Sequence, residues 1–337
     1  KTGSAYFTVE GATLKVDQCH IEGGKGKTKT VFGVRNGGLE FSSGTVTVAG
    51  MEAEALLTVL RGTFRSRGSS FSFQQAEGGG TLFQFLNSSV VLESSTLSPG
   101  GGETSMGIDA KDSELKVRFS TIHTGGGTLS AYGLRVQGGT LTMDRSEIKH
   151  TPASYISIGI GLFESKGEIT GSTFHMGGRY GAQALHVRRS ELILRENLLE
   201  GSSIEDYLYY GTFEDSSIRF MGNVVRKGSS ADITAFQLLN SRMEGEKNTF
   251  EFGTSARGFN GFVLKGKSDL VLKGNELIAS DPKGILFLLP REEIRVLVTD
   301  NKFQVKGAYR ELRQGGRRIR INSLQDLEAS SNEQVRF

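Results

Sequence analysis

Apolar residues return along this chain on two rulers at once. Over a few residues they alternate with polar ones, as in "HVRRSELIL" and "GLRVQGGTLTM". That is the period of a strand with one face inward, not of a helix. Over longer distances whole stretches recur: "SELKVRFSTIHT" at 113–124, "SELILRENLLEG" at 190–201 and "SDLVLKGNELIA" at 268–279. Stepping about 25 residues either way from Leu192 lands on Leu14, Leu39, Phe64, Val90, Leu115, Leu141, Gly167, Ile218, Met243, Leu270 and Val296. All but Gly167 are apolar. Seven residues after these anchors, every position from Ile21 to Phe303 is apolar; seven before, from Phe7 to Leu289, only Gly211 is not. The pattern predicts an all-β repeat of about 12 coils with these three columns pointing inward. Each coil carries three short strands separated by turns and pairs in parallel with the next, about 4.8 Å along the axis.

A fourth column marks a bend. Five residues after the anchor stand Asn197, Asn223, Asn248, Asn275 and Asn301, preceded in earlier coils by Cys19, Gly44 and a run of serines from Ser69 to Ser172. Asn tolerates the left-handed conformation of a sharp bend. Stacked Asn amides can also hydrogen-bond up and down the stack. The expectation is therefore an Asn/Ser ladder with Asn at the left-handed position.

With these columns in place, "YGLRVQGGTLTMDRSEIKH" and "ALHVRRSELILRENLLEG" resemble coils of the right-handed parallel β-helix proteins of the pectin-lyase-like superfamily. The resemblance covers residues 5 to 307. It implies a right-handed solenoid and an extracellular, cell-surface or periplasmic location. It does not select a function, because that fold hosts lyases, hydrolases, adhesins and inert scaffolds.

Composition narrows the classes. Gly at 46 and Pro at 4 of 337 residues fit many tight turns. No apolar run is long enough for a transmembrane helix, and any secretion signal would precede Lys1. The single cysteine, Cys19, rules out an intrachain disulfide framework. A net charge of +3 gives no electrostatic case for nucleic acid. No cofactor motif is present: "EGGG" and "PGGGE" lack the helix and Lys-Ser/Thr of a phosphate loop and read as solenoid turns.

In the superfamily's polysaccharide enzymes the groove follows the first strand of each coil, whose outward positions lie six and four residues before the anchor. Coils 5 to 9 are densely polar there: Asp109, Lys111, Arg135, Gln137, His186, Arg188 and Glu214, with Phe163 as a sugar-stacking platform. Arg135, His186 and Arg188, flanked by Asp109 and Glu214, would favour an acidic sugar or a partner's carboxylates. Asp109 and Glu214 are four coils apart, on the order of 19 Å, too far for the paired carboxyls of a glycoside hydrolase. The paired acids of polygalacturonases and the clustered calcium-binding acids of pectate lyases are not apparent. A lyase needs only a basic residue and a cation, so that class stays open. His123 and His175 share a column but lie roughly 10 Å apart, and His150 is one position out of it, so no metal site is expected. The leading reading is a non-catalytic scaffold for binding or assembly, with a polysaccharide or a protein as partner. A polysaccharide lyase and a glycan-binding adhesin are the alternatives.

The repeat stops after Phe303. Residues 308–337 read as a C-terminal capping segment after a β-helix spanning 5–307. Within it "NSLQDLEA" looks helical, and Arg310, Arg313, Arg317, Arg318 and Arg320 form either a solvated capping face or an anion-binding patch.

Overall fold

The short-range alternation becomes strands and the long-range repeat becomes coils. A computed structural model describes residues 5–23, 26–75, 80–151, 155–226, 228–279, 285–289, 294–305, 311–314 and 317–320, and they contain no helix. Contacts divide the chain into two units, Lys1–Gly167 with Gly177–Arg179, and Glu168–Met176 with Tyr180–Phe337. Each is a parallel β-solenoid. In the first unit Gly101–Lys111, Glu114–Arg118 and Thr121–His123 make one coil. They pair in parallel with Gly126–Gln137, Thr140–Asp144 and Glu147–Lys149 of the next. In the second unit Gly181–Arg188, Glu191–Arg195 and Leu198–Gly201 pair in parallel with Tyr207–Glu214, Ser217–Met221 and Val224–Arg226.

The inward columns form the cores, except that in coils 11 and 12 the register aligns Phe262 and Phe287 with Phe236, where the repeat spacing points to Val263 and Leu289. Leu39, Phe64, Val90, Leu115 and Leu141 are buried in the first unit, and Leu192, Ile218, Met243 and Leu270 in the second. Because identical positions stack, like side chains meet: Phe236 lies flat on Phe262 at 5.5 Å, and Phe262 on Phe287 at 5.6 Å. The first coil departs from the expectation. Phe7 and Leu14 are 54% and 39% exposed, since their layer is covered by coil 2 alone among the described residues. Phe7 stacks on Phe32 at 5.2 Å, and that face is its cover. The side chains of Leu289 and Phe303 lie outside the described residues.

Not every coil has three separate strands. Thr45–Leu60 runs unbroken from the third strand of coil 2 into the first of coil 3. Its corner is turned by a register shift between Ala49 and Met51, a bulge that bends a strand without ending it. After the last coil the pairing changes sense. Glu311–Gln314 pairs in parallel with Ile285–Leu289 but antiparallel with Arg317–Arg320. The segment "NSLQDLEA" and Arg310 lie outside the described residues.

The bends correct the sequence reading. The left-handed residue sits one place before the Asn column: Glu196, Gly222, Lys247, Gly274 and Asp300, and in the first unit Ser43, Gly68, Ser94, Phe119 and Arg145. The Asn column hydrogen-bonds instead, and the left-handed asparagines, Asn36, Asn87 and Asn240, lie at the coil's other bend, three residues before the anchor. Asn197, Asn223, Asn248 and Asn275 each accept from the preceding coil's column residue through Oδ1, the backbone donor being 2.8–2.9 Å away. Each Nδ2 donates to a carbonyl of the preceding coil, such as Asn223 to Leu194 at 3.0 Å, and to the next Asn. Earlier coils do the same with serine: Ser95 N–H donates to Ser120 Oγ, 3.1 Å, and Ser120 N–H to Ser146 Oγ, 3.2 Å.

A second such column escaped the sequence reading. Two residues before the anchor, Ser88 N–H donates to Ser113 Oγ at 3.0 Å in the first unit. In the second, Ser190, Ser216 and Ser241 pass the same bond upward at 3.1–3.2 Å. Its sequence signal is the small residue opening "SEL" and "SDL".

Replacing Asn223 by Ala strands the Asn197 N–H in a buried bend and takes the second donor from the Leu194 carbonyl, and should cost about 1–3 kcal/mol. Asn223→Ser keeps an acceptor of the kind used at Ser120 and should cost less. Urea unfolding of the two variants tests the ordering, and equal midpoints would show that the amide contributes nothing beyond its oxygen.

Candidate functional site

The eight outward candidates divide between the units, and each group is coherent within its own. In the first unit the parallel register sets Asp109 beside Arg135 and Lys111 beside Gln137, then Arg135 beside Gly161 and Gln137 beside Phe163. Arg135 donates twice to Asp109, Nε to Oδ1 at 2.9 Å and Nη2 to Oδ2 at 2.7 Å. That fork raises the Arg135 pKa, chiefly by the Asp109 hydrogen bond and against the cost of burial. The guanidinium stays protonated, so Arg135 is unsuited to act as a base. Asp109 is likewise engaged, and the pair presents little net charge.

Gly161 gives this face its shape. A Cβ there would lie 2.8 Å from Cε2 of Phe163 and 3.3 Å from Cε1 of Tyr132. Both rings therefore rest against bare backbone, next to the Arg135–Asp109 fork. Burial raises the Tyr132 pKa, with Arg135 opposing, so the phenol stays neutral. Tyr132 was not among the sequence candidates, since it lies nine residues before its anchor, beyond the two positions taken as outward. Lys111 and Gln137 are exposed at the strand ends.

In the second unit His186 is in register with Thr212 and Arg188 with Glu214. Arg188 Nε lies 3.4 Å from Glu214 Oε2. Half-buried His186 has its pKa lowered mainly by burial, with Glu214 opposing and Arg188 adding to the fall. It is a neutral imidazole at pH 7. Gln183 Nε2 donates to Thr212 and, at 2.8 Å, to the Leu185 carbonyl.

The remaining histidines separate into unrelated settings. His123 is half-buried, with its pKa lowered by burial and then by Lys149. His175 Nδ1 lies 3.2 Å from Glu200 Oε2. Cys19 is exposed. Among the described residues no three His, Cys, Asp or Glu side chains are placed to hold a metal ion.

The outward face also carries a cleft that the sequence reading passed over, because coils 1 to 4 hold few charges. It encloses about 400 Å³ and is lined in part by Thr8, Thr30, Gly33, Thr58 and Gln84. Thr8, Gly33, Thr58 and Gln84 are the same column that continues as Asp109 and Arg135.

No protein-family model matches the chain, and no curated protein matches it.

His150 is the one histidine enclosed by the first unit. It is buried, and its Nδ1 lies 3.2 Å from the Gly177 carbonyl, to which it donates. Nε2 meets no hydrogen-bond partner among the described residues. Burial lowers its pKa from 6.5 to about 4, the Gly177 bond opposing. A depressed folded-state pKa contributes stability that is complete above pH 6.5 and drains away as pH falls toward 4. The slope in that window should reach about 1.4 kcal/mol per pH unit. His150→Asn, whose amide can still donate to Gly177, should lose this part of the acid sensitivity. Urea midpoints from pH 7.5 downward compare the two proteins, and identical pH profiles would remove His150 as the source.

Proposed function

We propose that this chain is a non-catalytic scaffold of the secreted, surface or periplasmic kind, and that its first unit binds a saccharide on the face built by Tyr132, Arg135 and Phe163. The resemblance to right-handed pectin-lyase-like coils supports the setting. The observation that carries the binding is the pair of rings laid over Gly161 beside a bidentate Arg–Asp fork. Aromatic faces at a flat, side-chain-free spot suit the apolar face of a sugar ring. The fork supplies oriented donors and acceptors for hydroxyls, because Asp109 engages Nε and one Nη and leaves further N–H groups to a ligand.

This refines the ligand class. An acidic sugar suits a free Arg135, but Asp109 already balances that charge, so a neutral sugar is favoured. The same pairing weighs against Arg135 as the base of a lyase, which leaves Lys111 as the basic residue such an enzyme would have to use on this face.

The test is a panel of neutral and acidic polysaccharides, read both for binding and for unsaturated or reducing-end products. A neutral saccharide should bind without product, and Arg135→Ala/Phe163→Ala should weaken it roughly tenfold or more, for a loss above about 1.4 kcal/mol, with the melting temperature kept. Product formation would replace the scaffold reading with an enzyme. Binding that survives the double variant would move the site elsewhere.

A further inference from the structure

The cleft on coils 1 to 4 has a chemistry of its own. Beside Val34 and Leu60 its lining carries hydroxyls and an amide: Thr58 Oγ1 lies 3.3 Å from Thr30 Oγ1 and 3.4 Å from Gln84 Oε1. Thr30 is buried and donates to the Phe32 carbonyl at 3.1 Å, so its oxygen is held in place. Thr58 has one proton for two acceptors, and a ligand hydroxyl can take part in this relay as donor or acceptor. Gly33 opens the space. It lies on Gly26–Arg35 with Thr8 and Thr58 in register on either side, and it is an outward position without a side chain where its neighbours carry threonine.

The rim is ionic. Among the described side chains Glu10, Arg35 and Glu54 line the cleft; Glu10 and Arg35 are in register on adjacent strands, which leaves Glu54 as the surplus carboxylate. A recess walled by low-dielectric protein focuses that field more than a flat face does. The volume of about 400 Å³ falls within the range of small-molecule sites.

We propose that this cleft binds a hydroxyl-rich ligand carrying an ammonium group, an amino sugar with its amine free being the chemical class. The hydroxyls bond to the Thr30–Thr58–Gln84 relay, and the ammonium sits toward Glu54. The site is separate from the aromatic face at Gly161, though it lies on the same outward column of the first unit.

Isothermal titration with a glucosamine trimer, its N-acetylated counterpart and spermidine tests the assignment. The free-amine trimer should bind, more weakly as salt rises, and better than either of the others. Glu54→Gln should weaken it roughly three- to tenfold, the effect of one partly exposed charge pair. Gly33→Ile should abolish binding by filling the cleft. The titrations are made in the Arg135→Ala/Phe163→Ala background, so that the saccharide face at Gly161 cannot contribute to the signal. Equal binding of the acetylated trimer would overturn the ammonium assignment, and equal binding of spermidine the hydroxyl one. No binding, or binding indifferent to Glu54→Gln, would overturn the site. Should Gly33→Ile fail to fold, Glu54→Gln decides alone, since Glu54 is exposed.

Discussion

Everything in this fold hangs on how the chain satisfies its backbone where it bends. A solenoid coil must turn inside a packed body, and a bend cannot use the strand ladder for all of its N–H groups. Here the N–H at the bend of one coil donates to the side-chain oxygen of the next: serine at Ser113, Ser120 and Ser216, asparagine at Asn223 and Asn248. A buried donor left without a partner is costly, so each coil is locked to its neighbour at a set height and register. The stacking of apolar columns follows from that lock. So does the placing of Asp109 beside Arg135, and of two aromatic rings over Gly161.

The lock also changes what a charged outward residue means. On a parallel stack each outward side chain has a neighbour one coil away, and opposite charges in the same column pair off. Arg135 with Asp109, Arg188 with Glu214 and Arg195 with Glu168 are all of this kind. A string of charges in the sequence therefore becomes a nearly neutral surface. What distinguishes one stretch of face from another is shape, and shape is set by where glycine interrupts a column, at Gly33 and Gly161.

The coil length, the three inward columns and the parallel register were legible because burial acts on every coil alike and repeats its demand twelve times. The left-handed position was not. Phe119, Arg145, Glu196 and Lys247 occupy it as well as Gly68, Gly171, Gly222 and Gly274, so the only signal there is the lack of β-branched side chains, whereas the adjacent asparagines are conspicuous for a different reason. The second serine column was hidden by its ordinariness, since serine in a turn is common. At the candidate sites, charge drew attention to coils 5 to 9, while the cleft depends on the absence of a side chain at Gly33 and on uncharged threonines. Composition does not register a missing side chain. The exposed Phe7 and Leu14 show a further limit: a repeat pattern treats every coil as covered on both sides, and the first described coil is covered on one.

The left-handed bend residue has one more implication. In coil after coil it holds glycine or one of a wide range of side chains unbranched at Cβ, from Gly171 to Phe119 to Lys247, while the buried oxygen beside it does the holding. Arg145 over the Phe119 ring at 4.8 Å shows two such neighbours meeting outside the core. Each unit thus carries a ridge of positions, one per coil, that drift can rewrite without disturbing the layers beneath. To an antibody, a protease or a competing molecule, two descendants of this chain could look unlike while being built identically.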